Sequence, residues 1–289
     1  MKLVTFQCLG HRSIGKVEGQ QVIDLHASDR TLPTTMLELL QGGPSLMRRA
    51  RELSIDDAVT FPLADVRLDA PVPNPSKFLA IGMNYRRHVQ EAIEAGIQVP
   101  DSQVWFNKQV SCVNGPFDPV HMPKVSDKLD YEAELGVVIG RRCRHVSEAD
   151  AASVIAGYVV CNDVSVRDWQ MRSPTMMLGK SFNTHGPFGP WLVTPDEIAD
   201  PHALQMRMIV NGETRQSVST GEMIYNIWQQ IAYLSTVMTL EPGDVLATGT
   251  PSGVGVASKP PRFLSVGDIM RVEIDGVGHI ENHVVAEPV

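Results

Sequence analysis

The stretch DYEAELGVVIG, from Asp130 to Gly140, constrains the chain more tightly than any other. As a strand, with side chains alternating between two faces, it places Glu132, Glu134, Gly136 and Val138 on one side. Tyr131, Ala133, Leu135, Val137 and Ile139 fall on the other. Two carboxylates about 7 Å apart along a strand sit badly in an apolar segment unless water or a positive charge reaches them. Two readings stay open. One is the solvated face of an antiparallel sheet, where Glu is common; the other is part of an oxygen cage for a divalent cation. A third oxygen ligand and a reactive pair elsewhere in the chain would favour the cage.

The 289 residues suffice for one large domain or a large one with a small one. A formal net charge of -8 and a pI near 5.6 argue against a nucleic-acid or anionic-membrane partner, while leaving room for a local basic pocket that takes a small acid. No run reaches transmembrane length and the start, MKLVTFQCLGHRS, has no apolar core long enough for a signal peptide, so a cytoplasmic protein is expected. Cys8, Cys112, Cys143 and Cys161 form no C-x-x-C pair, which disfavours a zinc site or a disulfide framework.

Residues 1–70 read as a small α+β domain, with a hairpin over IGKVEGQQVIDL and helical spacing from Thr34 to Ser54 that breaks at Gly42-Gly43-Pro44. Pro71, Pro73 and Pro75 set the boundary to a second domain, 71–289. There KFLAIG reads as a buried strand, and MNYRRHVQEAIEAG as a helix capped by Asn84 and stopped at Gly96. His88 and Glu91 share a face of that helix, either as a surface pair or as a base with its orienting carboxylate. Lys108 reads as a strand-edge lysine or a substrate-side cation. SEADAASVI reads as a helix capped by Ser147. Asp163 ends the strand Tyr158–Cys161 and either caps the next helix or lends a ligand oxygen. Lys180 lies in a Gly/Pro-punctuated loop, solvated or drawn into a pocket. Asn211-Gly212 signals a hairpin. Thr220 is the expected cap of a long helix through EMIYNIWQQIAYLSTVM, whose apolar stripe reads as core. In TPSGVGVA, backbone N–H groups can converge on an anion.

In this order GMNYRRHVQE, FNK, DYEAELGVVIG, NDVSVRDWQ, LGKSFNTHGPFGPW and EPGDVLATGTPSGVG resemble the fumarylacetoacetate hydrolase family. Within it, the chain looks most like the shorter bacterial acylpyruvate hydrolases of the fumarylpyruvate and maleylpyruvate type, over residues 77 to about 285. The resemblance implies a β-rich α+β fold, a mixed β-sandwich roll, in a homodimer. It implies that Glu132, Glu134 and Asp163 hold one Mg2+ or Mn2+ per subunit, and oxygen-only ligands suit such hard cations better than zinc. His88 and Glu91 become a water-activating pair on a segment that closes over the site, and Lys180 a stabiliser of charge. Gln170 and Thr250 become substrate contacts, with Lys108, Tyr85 and Arg86 as further candidates. Some relatives carry Arg where this chain has Met83; Arg86, Arg87, Arg167 and Arg172 are candidates to replace that anchor.

The implied reaction is hydrolysis of a small anionic oxo acid, a 2,4-dioxo acid, between carbons 3 and 4 to pyruvate and a carboxylic acid. Oxaloacetate decarboxylation, oxo-acid isomerisation or tautomerisation, and metal-held dicarboxylate binding without turnover are the alternatives, since a fold alone does not settle function.

Overall fold

A computed structural model describes residues 1–288. Its backbone is a mixed sheet of twelve strands, a five-stranded sheet packed against it, and a short two-stranded pair. The α+β, strand-rich class expected from the sequence is the one observed. The long sheet runs from Thr60–Pro62 through Gln21–Asp24, His11–Glu18 and Lys2–Cys8 to Gly186–Val193, then Ile155–Asn162, Ala133–Ile139, Val245–Ala247, Phe78–Gly82 and Val104–Lys108. The N-terminal strands therefore extend the same sheet that carries the E-x-E strand, joined where Lys2 pairs with Val193.

Alternation along Ala133–Ile139 works as read, but both faces are dry. Leu135, Val137 and Ile139 pack with Met206, Met208, Val272 and Ile280 of the five-stranded sheet. Val138 faces the opposite way, into a cluster with Leu39 and Leu40 of the N-terminal helices and Phe78 and Phe188. A strand covered on both faces leaves no wet side for its acidic residues.

Local signals succeed where no tertiary bond competes. The first hairpin pairs Val17 with Val22. The Asn211-Gly212 turn has φ of 51° and 79°, the left-handed pair that a tight hairpin needs. The helical spacing of the N-terminal unit divides into Met36–Gln41 and Gly43–Glu52, as the Gly42-Gly43 break suggests.

Of three expected caps, one forms and two do not. Ser147 does cap the next turn, but Glu148–Val154 winds as a 3-10 helix. Asn84 does not cap the helix Arg86–Glu94: Tyr85 occupies that position, with no side-chain bond. The amide of Asn84 is instead buried and donates to the carbonyls of Tyr225 (3.0 Å) and Thr248 (2.8 Å), while its Oδ1 accepts from the Tyr225 N–H. Those bonds, with Ile224 N–H on the Asn84 carbonyl, hold residues 224 and 225 out of helical geometry. The long helix therefore starts only at Ile227, with Asn226 and Gln229 forming a capping box, while the Thr220 hydroxyl bonds to the Pro201 carbonyl.

Asn84→Ala leaves the Tyr225 N–H and the Thr248 carbonyl without their side-chain partner, each comparable to a lost buried hydrogen bond, while the Tyr225 carbonyl keeps Gln230 Nε2 at 2.8 Å. The expected loss is about 2 kcal/mol or more, read as a lower urea midpoint at unchanged slope. An unchanged midpoint would show that Asn84 is not the staple between these segments.

Candidate active site

Two neighbouring strands of the long sheet begin and end at the same level. Ala133 pairs with Asn162 and Glu134 with Cys161, while the Asp163 N–H bonds to the Glu132 carbonyl at 2.9 Å. Residues just before one strand and just after the other are thereby set side by side. One carboxylate oxygen from each of Glu132, Glu134 and Asp163 lies within 4.8 Å of the others. The three residues are 5%, 1% and 1% exposed, which removes the solvated-face reading of the E-x-E pair.

Cations from elsewhere in the chain meet this group. Lys180 Nζ donates to Glu132 Oε2 at 2.6 Å and Asp163 Oδ2 at 2.8 Å. Lys108 Nζ donates to Asp163 Oδ1 at 2.6 Å and to the Lys180 carbonyl. Arg167 bridges Glu132 Oε1, at 2.6 Å from Nη1, and Asp130 Oδ2, at 2.8 Å from Nε. Four buried carboxylates (Asp130, Glu132, Glu134 and Asp163) thus face three buried cations. Among the described residues Glu134 has no ion-pair partner; it accepts one N–H, from Gly249 at 2.8 Å.

The electrostatic consequence divides the two glutamates. Burial, reinforced by the charges of Asp163 and Glu132, pushes the Glu134 carboxyl well above the usual range. Burial also works against the charge of Glu132, but Lys180 and Arg167 outweigh it and hold that carboxyl at about 2. A donor set of carboxylate oxygens only, with one unpaired member, suits a hard divalent cation such as Mg2+ or Mn2+.

Over the triad lies the helix Arg86–Glu94. His88 Nδ1 is 3.1 Å from Glu91 Oε2, and Glu91 Oε1 accepts the Gly253 N–H at 3.0 Å. The helix, two members of the triad and the glycine-rich loop line a cavity of about 750 Å³, whose wall includes His88, Glu91, Glu132, Glu134, Lys180 and Arg167. Gln170 and Thr250, expected to touch substrate, also line it. Gln170 accepts from Arg167 Nη1 at 3.0 Å, and Thr250 Oγ1 accepts from Gln216 at 3.0 Å.

Other expected contacts lie elsewhere. Lys108 is 1% exposed and sits behind Asp163, outside the cavity wall, because its strand pairing with Phe78 turns it inward. Tyr85 is buried with its hydroxyl unpartnered and does not line the cavity. Arg86 is exposed, Arg87 reaches toward Glu222, and Arg172 stacks on Trp169. Of the four arginines considered as anchors, only Arg167 reaches the cavity. Asp130 was not singled out by sequence reasoning. It accepts the Gly255 and Val256 N–H groups at 2.8 and 2.9 Å as well as Arg167. The signal was available, since extending the alternation two residues upstream puts Asp130 in step with Glu132 and Glu134.

Comparison with known proteins now bears on this geometry. The family model for the fumarylacetoacetate (FAA) hydrolase C-terminal region matches residues 77–285. Over 99% of its length the chain is 43% identical to the mitochondrial oxaloacetate tautomerase fahd2 of Xenopus laevis, covering 90% of that protein. The solved fumarylacetoacetate hydrolase from psychrophilic Exiguobacterium antarcticum superposes with a TM-score of 0.88 at 36% identity, covering 99% of this chain and 100% of that one. Maleylpyruvate hydrolase from Sphingobium sp. SYK-6, solved with manganese (II) and pyruvate, gives a TM-score of 0.83 at 33% identity over 100% of both chains. Motif order, fold and full-length likeness agree: this chain belongs to the fumarylacetoacetate hydrolase family.

Proposed function

We propose that the chain is a metal-dependent hydrolase that cleaves an acylpyruvate between carbons 3 and 4. The observation that carries this reading is the His88–Glu91 pair, held at 3.1 Å beside the buried carboxylate triad in one cavity. Binding alone gives no reason for a base with its own orienting carboxylate. Glu132, Glu134 and Asp163 would hold one Mg2+ or Mn2+. Bound there, such an ion would supply Lewis-acid stabilisation of negative charge developing on an oxo acid.

The rest is done by the chain's own side chains. Glu91 accepts from His88 Nδ1, which leaves Nε2 as the proton acceptor. His88 takes a proton from water as the water oxygen attacks carbon 4. Cleavage of the bond between carbons 3 and 4 releases the acyl group as a carboxylic acid and leaves the electron pair as the enolate of pyruvate. Lys180, fixed at 2.6 Å from Glu132, supplies positive charge beside that enolate, worth about 3 kcal/mol for a preorganised donor. Protonation at carbon 3 by the imidazolium of His88 completes pyruvate.

A second reading, oxaloacetate tautomerisation, is favoured by the Xenopus relative that carries that name. It uses the same enolate and moves a proton between carbon 3 and the 2-oxo oxygen without consuming water. Pyruvate release from acylpyruvates, set against loss of enol absorbance from oxaloacetate without cleavage, separates the two.

His88→Ala is expected to lower kcat for acylpyruvate cleavage by about 100- to 10,000-fold with Mn2+ binding intact; cleavage at the parent rate would sink the base assignment. Glu134→Gln exchanges a buried carboxyl that has no cationic partner among the described residues for a neutral side chain of equal size. In chelator its Tm is expected to equal or exceed the parent's. The parent gains about 2.7 kcal/mol at Mn2+ 100-fold above Kd, and this variant should gain none. An undiminished Mn2+-dependent rise in Tm would take Glu134 out of the cage.

A further inference from the structure

The cavity is far larger than the triad end needs, and its two ends differ in charge. At the triad end stand Lys180 and Arg167, both buried and both committed to carboxylates of the chain. Arg167 Nη2 is buried and unpartnered, so this end has a guanidinium donor left for the carboxylate of a 2-oxo acid. Away from the triad, the wall is built by Met83, Ala92, Ile97, Val104, Val254 and Pro261. Besides the triad end and the paired His88 and Glu91, the only other charged groups lining the cavity among the described residues are Glu94 and Lys259. Both are exposed to solvent, and one is an acid.

From this asymmetry, and resting on the acylpyruvate reading, we infer that the acyl group this site selects is uncharged beyond carbon 4, aliphatic or aromatic, and not a fumaryl or maleyl group ending in a second carboxylate. A carboxylate carried into the apolar end loses its water and meets no buried cation there, while Glu91 and Glu94 on the lid repel it. Rejection through an unpaired charge is a stronger filter than any choice among alkyl chains, which apolar walls distinguish weakly.

Two 2-oxo acids of equal length that lack the 4-oxo group, and so cannot be cleaved, isolate this preference from turnover. With Mn2+ present, calorimetry is expected to show 2-oxoheptanoate binding about tenfold or more tightly than 2-oxoheptanedioate. Equal or tighter binding of the diacid overturns the inference. Met83→Arg places a cation in the apolar wall and is expected to reverse the order. Ile97→Lys, at a position 40% exposed and therefore tolerant of the change, is expected to do the same should the first variant fold poorly. Failure of both folded variants to gain diacid affinity also overturns it. In parallel, kcat/KM for pentanoylpyruvate is expected to exceed that for fumarylpyruvate by at least the same factor. A monoacid binding preference without pyruvate release from any acylpyruvate would remove the hydrolase reading and leave the charge preference standing.

Discussion

Four carboxylates and three cations share one water-poor pocket, and much of the surrounding structure is explained by what it takes to keep them there. Each charge removed from water costs several kcal/mol unless partners and hydrogen bonds compensate. The compensation comes from separate parts of the chain: Lys108 from an outer strand of the long sheet, Arg167 from a short helix, Lys180 from the end of another. Their ammonium and guanidinium groups fix Glu132 and Asp163 before any ligand arrives. Glu134 alone lacks a cationic partner among the described residues, and a divalent cation is the simplest group that answers both its charge and the spacing of the three oxygens.

The glycine-rich loop is the second dependency, and it couples the floor of the site to its lid. Gly249 N–H bonds to Glu134, Gly253 N–H to Glu91, and Gly255 and Val256 N–H groups to Asp130. The sequence reading that such a loop collects an anion is thus realised on the chain's own carboxylates. Gly253 sits at φ +99°, and a Cβ there would lie 2.2 Å from the Arg215 carbonyl, so no other residue fits without moving the backbone. A segment so confined ties the position of the lid carboxylate to that of the triad. The helix that carries His88 is registered against the floor through Glu91, and the imidazole is oriented by contacts made on both sides of the cavity.

Features governed by local periodicity were legible in the sequence: the alternation of the E-x-E strand, the three-residue spacing of His88 and Glu91, and the Asn211-Gly212 turn. What was not legible depended on partners distant in the chain. Lys108 looks like an edge lysine until its pairing with Phe78 turns it toward Asp163. Asn84 has the chemistry of a cap, but its amide finds better partners 141 and 164 residues away. Thr220 likewise gives up a helix start because its hydroxyl is taken by Pro201. Asn84 and Thr220 were claimed by backbone groups that had to be satisfied, and Lys108 by a buried carboxylate that needed a counter-charge.

The same logic indicates where reaction identity resides in this family fold. On the proposed reading, hydrolysis and tautomerisation draw on one electron sink, so the oxygen triad cannot tell them apart. They differ in the path of the proton and in whether water reaches carbon 4. On that reading those differences fall to the helix over the triad and the wall beyond it, residues 83 to 104 and 254 to 261, more than to the sheet that holds the carboxylates. The sheet is over-determined by two packed faces and a locked charge network, whereas the lid end of the helix carries exposed Ile93 and Ile97 and meets the loop through one carboxylate. On the proposed reading, that division accommodates 43% identity to a protein named a tautomerase alongside a site arranged for hydrolysis.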